Sequence, residues 1–463
     1  MIEENYYCLD IEFPEVDFNG YYRESQTKIE KVHHAHLYSK KDEIELRFFY
    51  EDSSYFGEKL GEWMTANRKI GSFMKVNLTQ NDRNDSLQKI DLSNSKWLSF
   101  SGSTGYYEDN NKYIIIKIDT VKFYWEPNPA RKNSAEFYLD DKGFNVVNSF
   151  YGYLIPKKYF GYNEEFMINR MNDSKEFYKL DKSSFRPEFY FRSEDSERGR
   201  TATITKEPKI QFEYPDGIAE EESILYGEVI LLLASFYHHI KIDYRFRRIF
   251  LPESTITIKN IEKKNYTDRN GNLSPFGING RFKDFLNRSW QEETLKNFHL
   301  LSKAVTLFNQ SLLVDNSSAF LIRYNIIEIC DKHQNSNEKF TYCLTKNQKK
   351  EKRDKALEIL LEMIVPNEHE LFKEHWQNSQ NNLGYKPMKH QLGAFLESQK
   401  LNPGVFSVSI HDLKNLRDNI THGRIERVNP EQLKNANALL YRINGILILN
   451  LMGINDWKFE NAH

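Results

Sequence analysis

The chain has 463 residues, ample for two sizeable cores, with 64 Lys+Arg against 66 Asp+Glu and a net charge of −2. That balance excludes a polybasic, histone-like binder, and 39 % hydrophobic content excludes a disordered chain. Three cysteines, Cys8, Cys330 and Cys343, are too few for a disulfide framework, and no apolar run is long enough for a transmembrane helix. The acidic start, MIEENYYCLDIEF, lacks the basic and apolar regions of a secretory signal, so the expected setting is cytoplasmic, with no membrane partner. Charge is uneven along the chain. Residues 281–463 carry 25 Lys+Arg and 21 Asp+Glu, so any nucleic-acid contact is expected C-terminal.

The first 160 residues read as strands. EIELRFFYE (43–51), SFMKVNLTQ (72–80), KWLSFSG (96–102), KYIIIKIDTVKFYW (112–125) and FNVVNSFYGYLI (144–155) are β-branched and aromatic, separated by polar turns. Their spacing predicts a sandwich or barrel-like arrangement rather than βαβ units. A further strand-like stretch follows at 201–213. A helix is predicted over 218–240, too apolar on several faces to lie at the surface, and strand chemistry returns at 244–264. Residues 265–284, with YTDRNGNLSPFGINGR, are rich in Gly, Asn and Pro and mark the boundary.

Beyond 285 the apolar period becomes 3.6. Helices are predicted at 290–313, 317–333, 350–364, 368–379, 389–399, 409–423 and 430–453, the second with a Ser N-cap and the last with Pro430 in its first turn. The fold class expected is therefore α+β multidomain. A β-rich region over 1–280, possibly of two subdomains, precedes an all-α bundle over 285–463.

The segment with the most chemistry is Leu416-Arg417-Asp418-Asn419-Ile420-Thr421-His422-Gly423. Five positions at ~100° per residue put Arg417 and His422 on different sides of a regular helix. Gly423 alters that reading, because glycine is favoured just past a helix end. His422 then occupies the last turn, where a long Arg side chain can reach the same phosphate. Asp418, one turn earlier, is placed to orient the imidazole. Lys414, Asn419, Arg424 and Arg427 add polar and cationic groups for an RNA backbone.

This arrangement resembles the HEPN domain (higher eukaryotes and prokaryotes nucleotide-binding), whose ribonucleases carry R-x4–6-H with Asn, Asp or His after the Arg. With a β-rich region in front, the chain resembles more narrowly the ApeA-type antiphage proteins. The resemblance implies metal-independent, cofactor-free RNA cleavage, with tRNA a reasonable target, at a composite site formed when two bundles dimerise. It further implies abortive antiviral defence, in which the N-terminal region senses a phage-derived trigger. HEPN domains often carry an acidic residue on an early helix near the Arg/His pair, and Glu328 matches that pattern. Asn325, Glu328 and Lys332 also read as a solvated polar stripe.

The residue chemistry agrees with such an activity. RNA carries its own nucleophile in the 2′-OH, so a protein needs a base that titrates near neutrality, His422, and a fixed cation for the phosphate, Arg417. A second His422 across a two-fold axis would protonate the leaving oxygen. The final helix offers a seam for that dimer in Leu433, Ala436, Leu440, Ile443, Leu447 and Asn450.

The basic run 346–355, with Lys349 and Lys350, is a further place for RNA phosphates or simply a solvated helix start. Cys330, His333 and Cys343 have ligand chemistry for zinc, and His33, His34 and His36 cluster in a strand-like segment; in each case a structural role is the plainer reading. P-loop, nucleophile-elbow and HExxH patterns are absent from the sequence. The alternative to a ribonuclease is a non-catalytic bundle that binds a nucleotide or a protein.

Overall fold

The computed structural model describes residues 5–14, 29–39, 43–50, 75–80, 87–92, 97–103, 112–131, 133–151, 177–180, 182–195, 202–260, 273–334, 340, 343–380 and 388–459. The chain divides into two compact units, one of residues 1–269 and 280–287, the other of residues 270–279 and 288–463.

The first unit contains two antiparallel sheets. The six-stranded sheet comprises β1 (Asn5–Pro14), β2 (Ile29–Ser39), β3 (Ile44–Tyr50), β4 (Lys75–Gln80), β6 (Trp97–Ser103) and β7 (Lys112–Ile118), in the order β4-β1-β2-β3-β7-β6. The eight-stranded sheet takes β5 (Leu87–Asp91), β8 (Thr120–Trp125), β9 (Ser134–Leu139), β10 (Tyr178–Leu180), β11 (Ser183–Asp195), β12 (Ala202–Glu213), β13 (Tyr244–Phe250) and β14 (Thr255–Asn260). Its order is β10-β11-β12-β9-β13-β14-β8-β5. The buried Lys259 of β14 donates to Ser39 of β2 at 2.9 Å, linking one sheet to the other.

Segment 112–125, which reads as one strand, is two. The chain bends at Asp119 and passes from the six-stranded to the eight-stranded sheet. Segment 144–155 reads as a strand because of its Val and aromatic content, yet Gly143–Tyr151 is a helix, α1. Val146, Val147 and Phe150 bury one side of it, and Phe150 meets the rings of Tyr178 and Phe185 edge-on. Packing on the sheet outweighs the β propensity of the residues.

The predicted helix over 218–240 is α2 (Glu220–His238). It lies directly on the sheet, since a Cβ at Gly227 would land on the ring of Phe137 in β9. Phe137, Phe212 and Phe185 then carry ring contacts across β9, β12 and β11 at 5.4 and 6.0 Å. The central strand β9 is buried from Ala135 to Leu139, on both faces. Even Glu136 is enclosed there: burial opposes its charge, but Lys209, Tyr138 and Arg131 together hold the carboxyl below the usual range.

Helix α3 (Phe282–Ser289) belongs to the first unit except for its last two residues, and leads into α4 (Glu292–Lys296) and α5 (Phe298–Gln310) of the second. The expected single helix over 290–313 breaks at Asn297, whose side chain donates instead to the Leu451 carbonyl at 2.9 Å. Then come α6 (Asn316–Gln334), α7 (Lys346–Leu361), α8 (His369–Gln380), α9 (Met388–Ser398), α10 (Ile410–Thr421) and α11 (Pro430–Leu451). Pro430 opens α11 as anticipated, with Asn429 capping the helix by accepting from Glu431 and Gln432 N–H.

The core of this unit is α11 packed on α5 and α6. Leu433, Ala436, Leu440, Ile443 and Leu447 are all buried there. They are therefore not a free seam: the chain's own bundle uses that face, and Asn450 is tied to the Gln399 carbonyl and to Trp457. A polar thread crosses the same core. Arg323 donates to Ser311 Oγ and to Asn437 O and Oδ1, Asn437 donates to the Asn316 carbonyl, and Asn444 to the Arg323 carbonyl. No helix among the described residues is long and apolar enough to cross a membrane.

Candidate functional site

Helix α10 is fixed at both ends. Ser409 caps its start, accepting from the Asp412 N–H at 3.1 Å, and Ile410, Leu413, Leu416 and Ile420 bury one face at helical spacing. At the other end His422 has left helical geometry (φ −91°, ψ 10°) and Gly423 takes φ +70°. Arg424 N–H donates to the Asn419 carbonyl at 2.8 Å and Gly423 N–H to the Ile420 carbonyl at 3.1 Å. These two bonds are a Schellman closure. The sequence anticipates it from Gly423 alone.

The closure leaves His422 exposed at the end of the helix. Arg417 instead points towards α6. Its guanidinium is 3.7 Å from the Glu328 carboxylate and donates to Asp418 Oδ1 at 3.2 Å, and it lies 6.0 Å from the centre of the Tyr324 ring. One-third of the Arg417 side chain remains exposed. Lys414 approaches the other oxygen of Asp418 at 3.8 Å. The structure thus brings together Arg417, Asp418, Lys414 and Glu328 from two helices.

Two expectations change here. Asp418 does not hold the His422 ring; its two oxygens serve Arg417 and Lys414. Of the predicted polar stripe on α6, Asn325 and Lys332 are solvated, whereas Glu328 is half-buried and turned to Arg417. Arg424 and Arg427 lie exposed just past the helix end, where Arg427 meets Glu426 at 3.8 Å, and Asn419 is partly exposed on α10 itself.

Tyr324 was not singled out from the sequence, though it stands four residues before Glu328 on the same side of α6. Burial first, and then the neighbouring Glu328 charge, push its phenol up to about 12. It is a neutral wall behind Arg417.

Lys349 and Lys350 are on α7, a separate helix whose start is fixed by a capping box between Thr345 and Gln348. The Cys330, His333 and Cys343 grouping does not form. Cys330 is in the core, where burial pushes its thiol up to about 12, while His333 and Cys343 face solvent. His36 packs edge-on against Tyr38, and the side chains of His33 and His34 lie outside the described residues. No group of three or more His, Cys, Asp or Glu side chains suited to a metal ion occurs among the described residues.

Comparison of the chain with models of protein families, with curated proteins and with solved structures found no match.

Proposed function

We propose that the protein is a metal-independent endoribonuclease acting in the cytoplasm, with Arg417 and His422 as its catalytic residues. The observation that carries this reading is the end of α10. The Schellman closure presents His422 to solvent, and Arg417, five residues before it, keeps one-third of its side chain exposed, with exposed Arg424 and Arg427 alongside.

In this mechanism the 2′-oxygen of the substrate attacks the adjacent phosphorus while an imidazole of His422 takes its proton. The bond from phosphorus to the 5′-oxygen breaks, and that oxygen leaves protonated as a hydroxyl. A 2′,3′-cyclic phosphate remains on the other fragment. Arg417 supplies charge to the crowded phosphate, and Glu328 with Asp418 fix the direction of its guanidinium. One copy of the site holds a single exposed imidazole, so a second copy is the natural source of the acid. Single-stranded loops, such as those of tRNA, suit a site that must align a 2′-oxygen with its phosphate. Following the resemblance to HEPN and ApeA-type proteins, the physiological role is antiphage defence with the β-rich unit as sensor.

A second reading is favoured by one observation: Arg417 sits between two carboxylates, as a structural ion pair would. In that case the bundle binds a nucleotide or protein and cuts nothing. Incubating the purified chain with total RNA in EDTA separates the readings. The ribonuclease reading expects cleavage by the wild type and a loss of at least about 100-fold in His422→Ala. Intact RNA with both proteins would support the binding module.

A further inference from the structure

Helices α7 and α8 form a hairpin unlike the rest of their unit. No side chain of α7 is buried, and none of those described in α8 is either. Leu357 and Leu360 of α7, with Phe372 and Trp376 of α8, are half-buried along the inner face of the pair. The outer face is apolar and open: Ile359 is 62 % exposed, Met363 78 %, Val365 56 % and Leu371 70 %. Helices of this length gain most of their stability from tertiary packing, and two helices alone enclose little core. Four large exposed apolar side chains within thirteen residues are characteristic of an interaction surface.

Charge along the hairpin indicates what covers it. Residues 346–355 carry six cations, five Lys and Arg353, against two acids, whereas residues 358–374 carry five Glu against one Lys. The apolar cluster lies at the junction and within the acidic part. A second hairpin laid antiparallel places each basic stretch beside the other's acidic stretch. A parallel pairing would set like charges side by side.

We propose that this hairpin is a homotypic interface, in which two copies of the chain pack α7 and α8 antiparallel about a two-fold axis near Ile359. About that axis Lys355 of each copy faces the Glu362–Met363 turn of the other, and Lys352 lies towards Glu368 in the turn between the two helices. Contacts of this kind are reciprocal, so one charge-segregated element satisfies both copies. Burial of Ile359, Met363 and Leu371 supplies the affinity, and the charges set the direction. The four paired helices then enclose the core that each hairpin lacks. This interface replaces the α11 seam expected from the sequence. It stands independently of the ribonuclease reading, because it is tested by mass rather than by cleavage.

The experiment is sedimentation velocity on the full chain at micromolar concentration. The wild type is expected to be dimeric, and Ile359→Asp with Met363→Asp to be monomeric with an unchanged far-UV circular dichroism spectrum. Lys352→Glu with Lys355→Glu weakens dimerisation about tenfold, as does Glu362→Lys with Glu368→Lys. The chain carrying all four reversals regains it, a result that only complementary pairing explains. A monomeric wild type, or a dimer indifferent to the two Asp substitutions, overturns the proposal. So does retention of total RNA that depends on Lys352 and Lys355 while the mass of the protein is unchanged, which would assign the basic stretch to nucleic acid.

Discussion

Gly423 and Glu328 show how single residues build the site. Gly423 stands at φ +70° with nothing within 4 Å of where a Cβ would be, so substitution strains the backbone without a steric clash. Gly423→Ala is therefore expected to cost about 1 kcal/mol in urea unfolding, and Gly423→Asn less, because Asn tolerates left-handed geometry. An Ala variant as stable as the wild type would show that the closure does not hold the end of α10. Glu328→Gln keeps the shape of the side chain but removes its charge from Arg417. Cleavage is expected to fall about tenfold through the turnover rate, with Glu328→Asp recovering part of it. Unchanged turnover would place Glu328 outside the machinery. The positions of Arg417, His422 and Gly423 at the end of α10 were legible because they depend on local helix geometry, whereas helical spacing alone read Glu328 as part of a solvated stripe. The partners of Asp418 and the approach of Tyr324 were not, because they depend on which side chains a neighbouring helix delivers.

Helix α2 carries a consequence of burial at the level of one element. Its C-terminal His238 and the following His239 are enclosed, and His238 shares a 3.0 Å hydrogen bond with Ser149 of α1. Burial lowers both imidazoles from 6.5 to about 4, with the neighbouring His239 also lowering His238. The unfolded chain binds these protons as pH falls below about 6.5, whereas the folded chain resists until about 4. Stability is thus full above that range and declines with acidification, by roughly 2 kcal/mol per imidazole near pH 5. Urea midpoints at pH 7.5 and pH 5 measure this, and replacing both histidines with Asn should flatten the difference. An equal acid loss in that variant would place the sensitivity elsewhere. Elements with a clear helical pattern were readable in sequence: α10 and α11 are where their apolar stripes put them, and α2 is where a helix apolar on several faces was expected. Those that failed had ambiguous local chemistry. Gly143–Tyr151 has strand-like residues but buries a helical stripe, and residues 112–125 have unbroken strand chemistry across a bend that sends the chain between sheets.

For the whole molecule, the β-rich first part and helical second part followed from composition and period, because two-residue and 3.6-residue repeats occupy different stretches of chain. The division of residues 270–287 between the units did not, since residues 270–279 belong to the second unit and residues 280–287, with most of α3, to the first. Nor could the sequence decide which apolar face is spare. α11 is more apolar than the α7–α8 hairpin, yet it is the hairpin that remains uncovered. The α10 site and the uncovered hairpin belong to the same helical unit, and the central claim is the chemistry assigned to that site. Mapping the ends of RNA fragments made by the wild-type protein in EDTA tests it most directly. Cleavage by the 2′-oxygen predicts 5′-hydroxyl ends with 2′,3′-cyclic or 3′-phosphate partners, absent with Arg417→Ala or His422→Ala. Fragments ending in 5′-phosphate, or ends that persist in both variants, would contradict it.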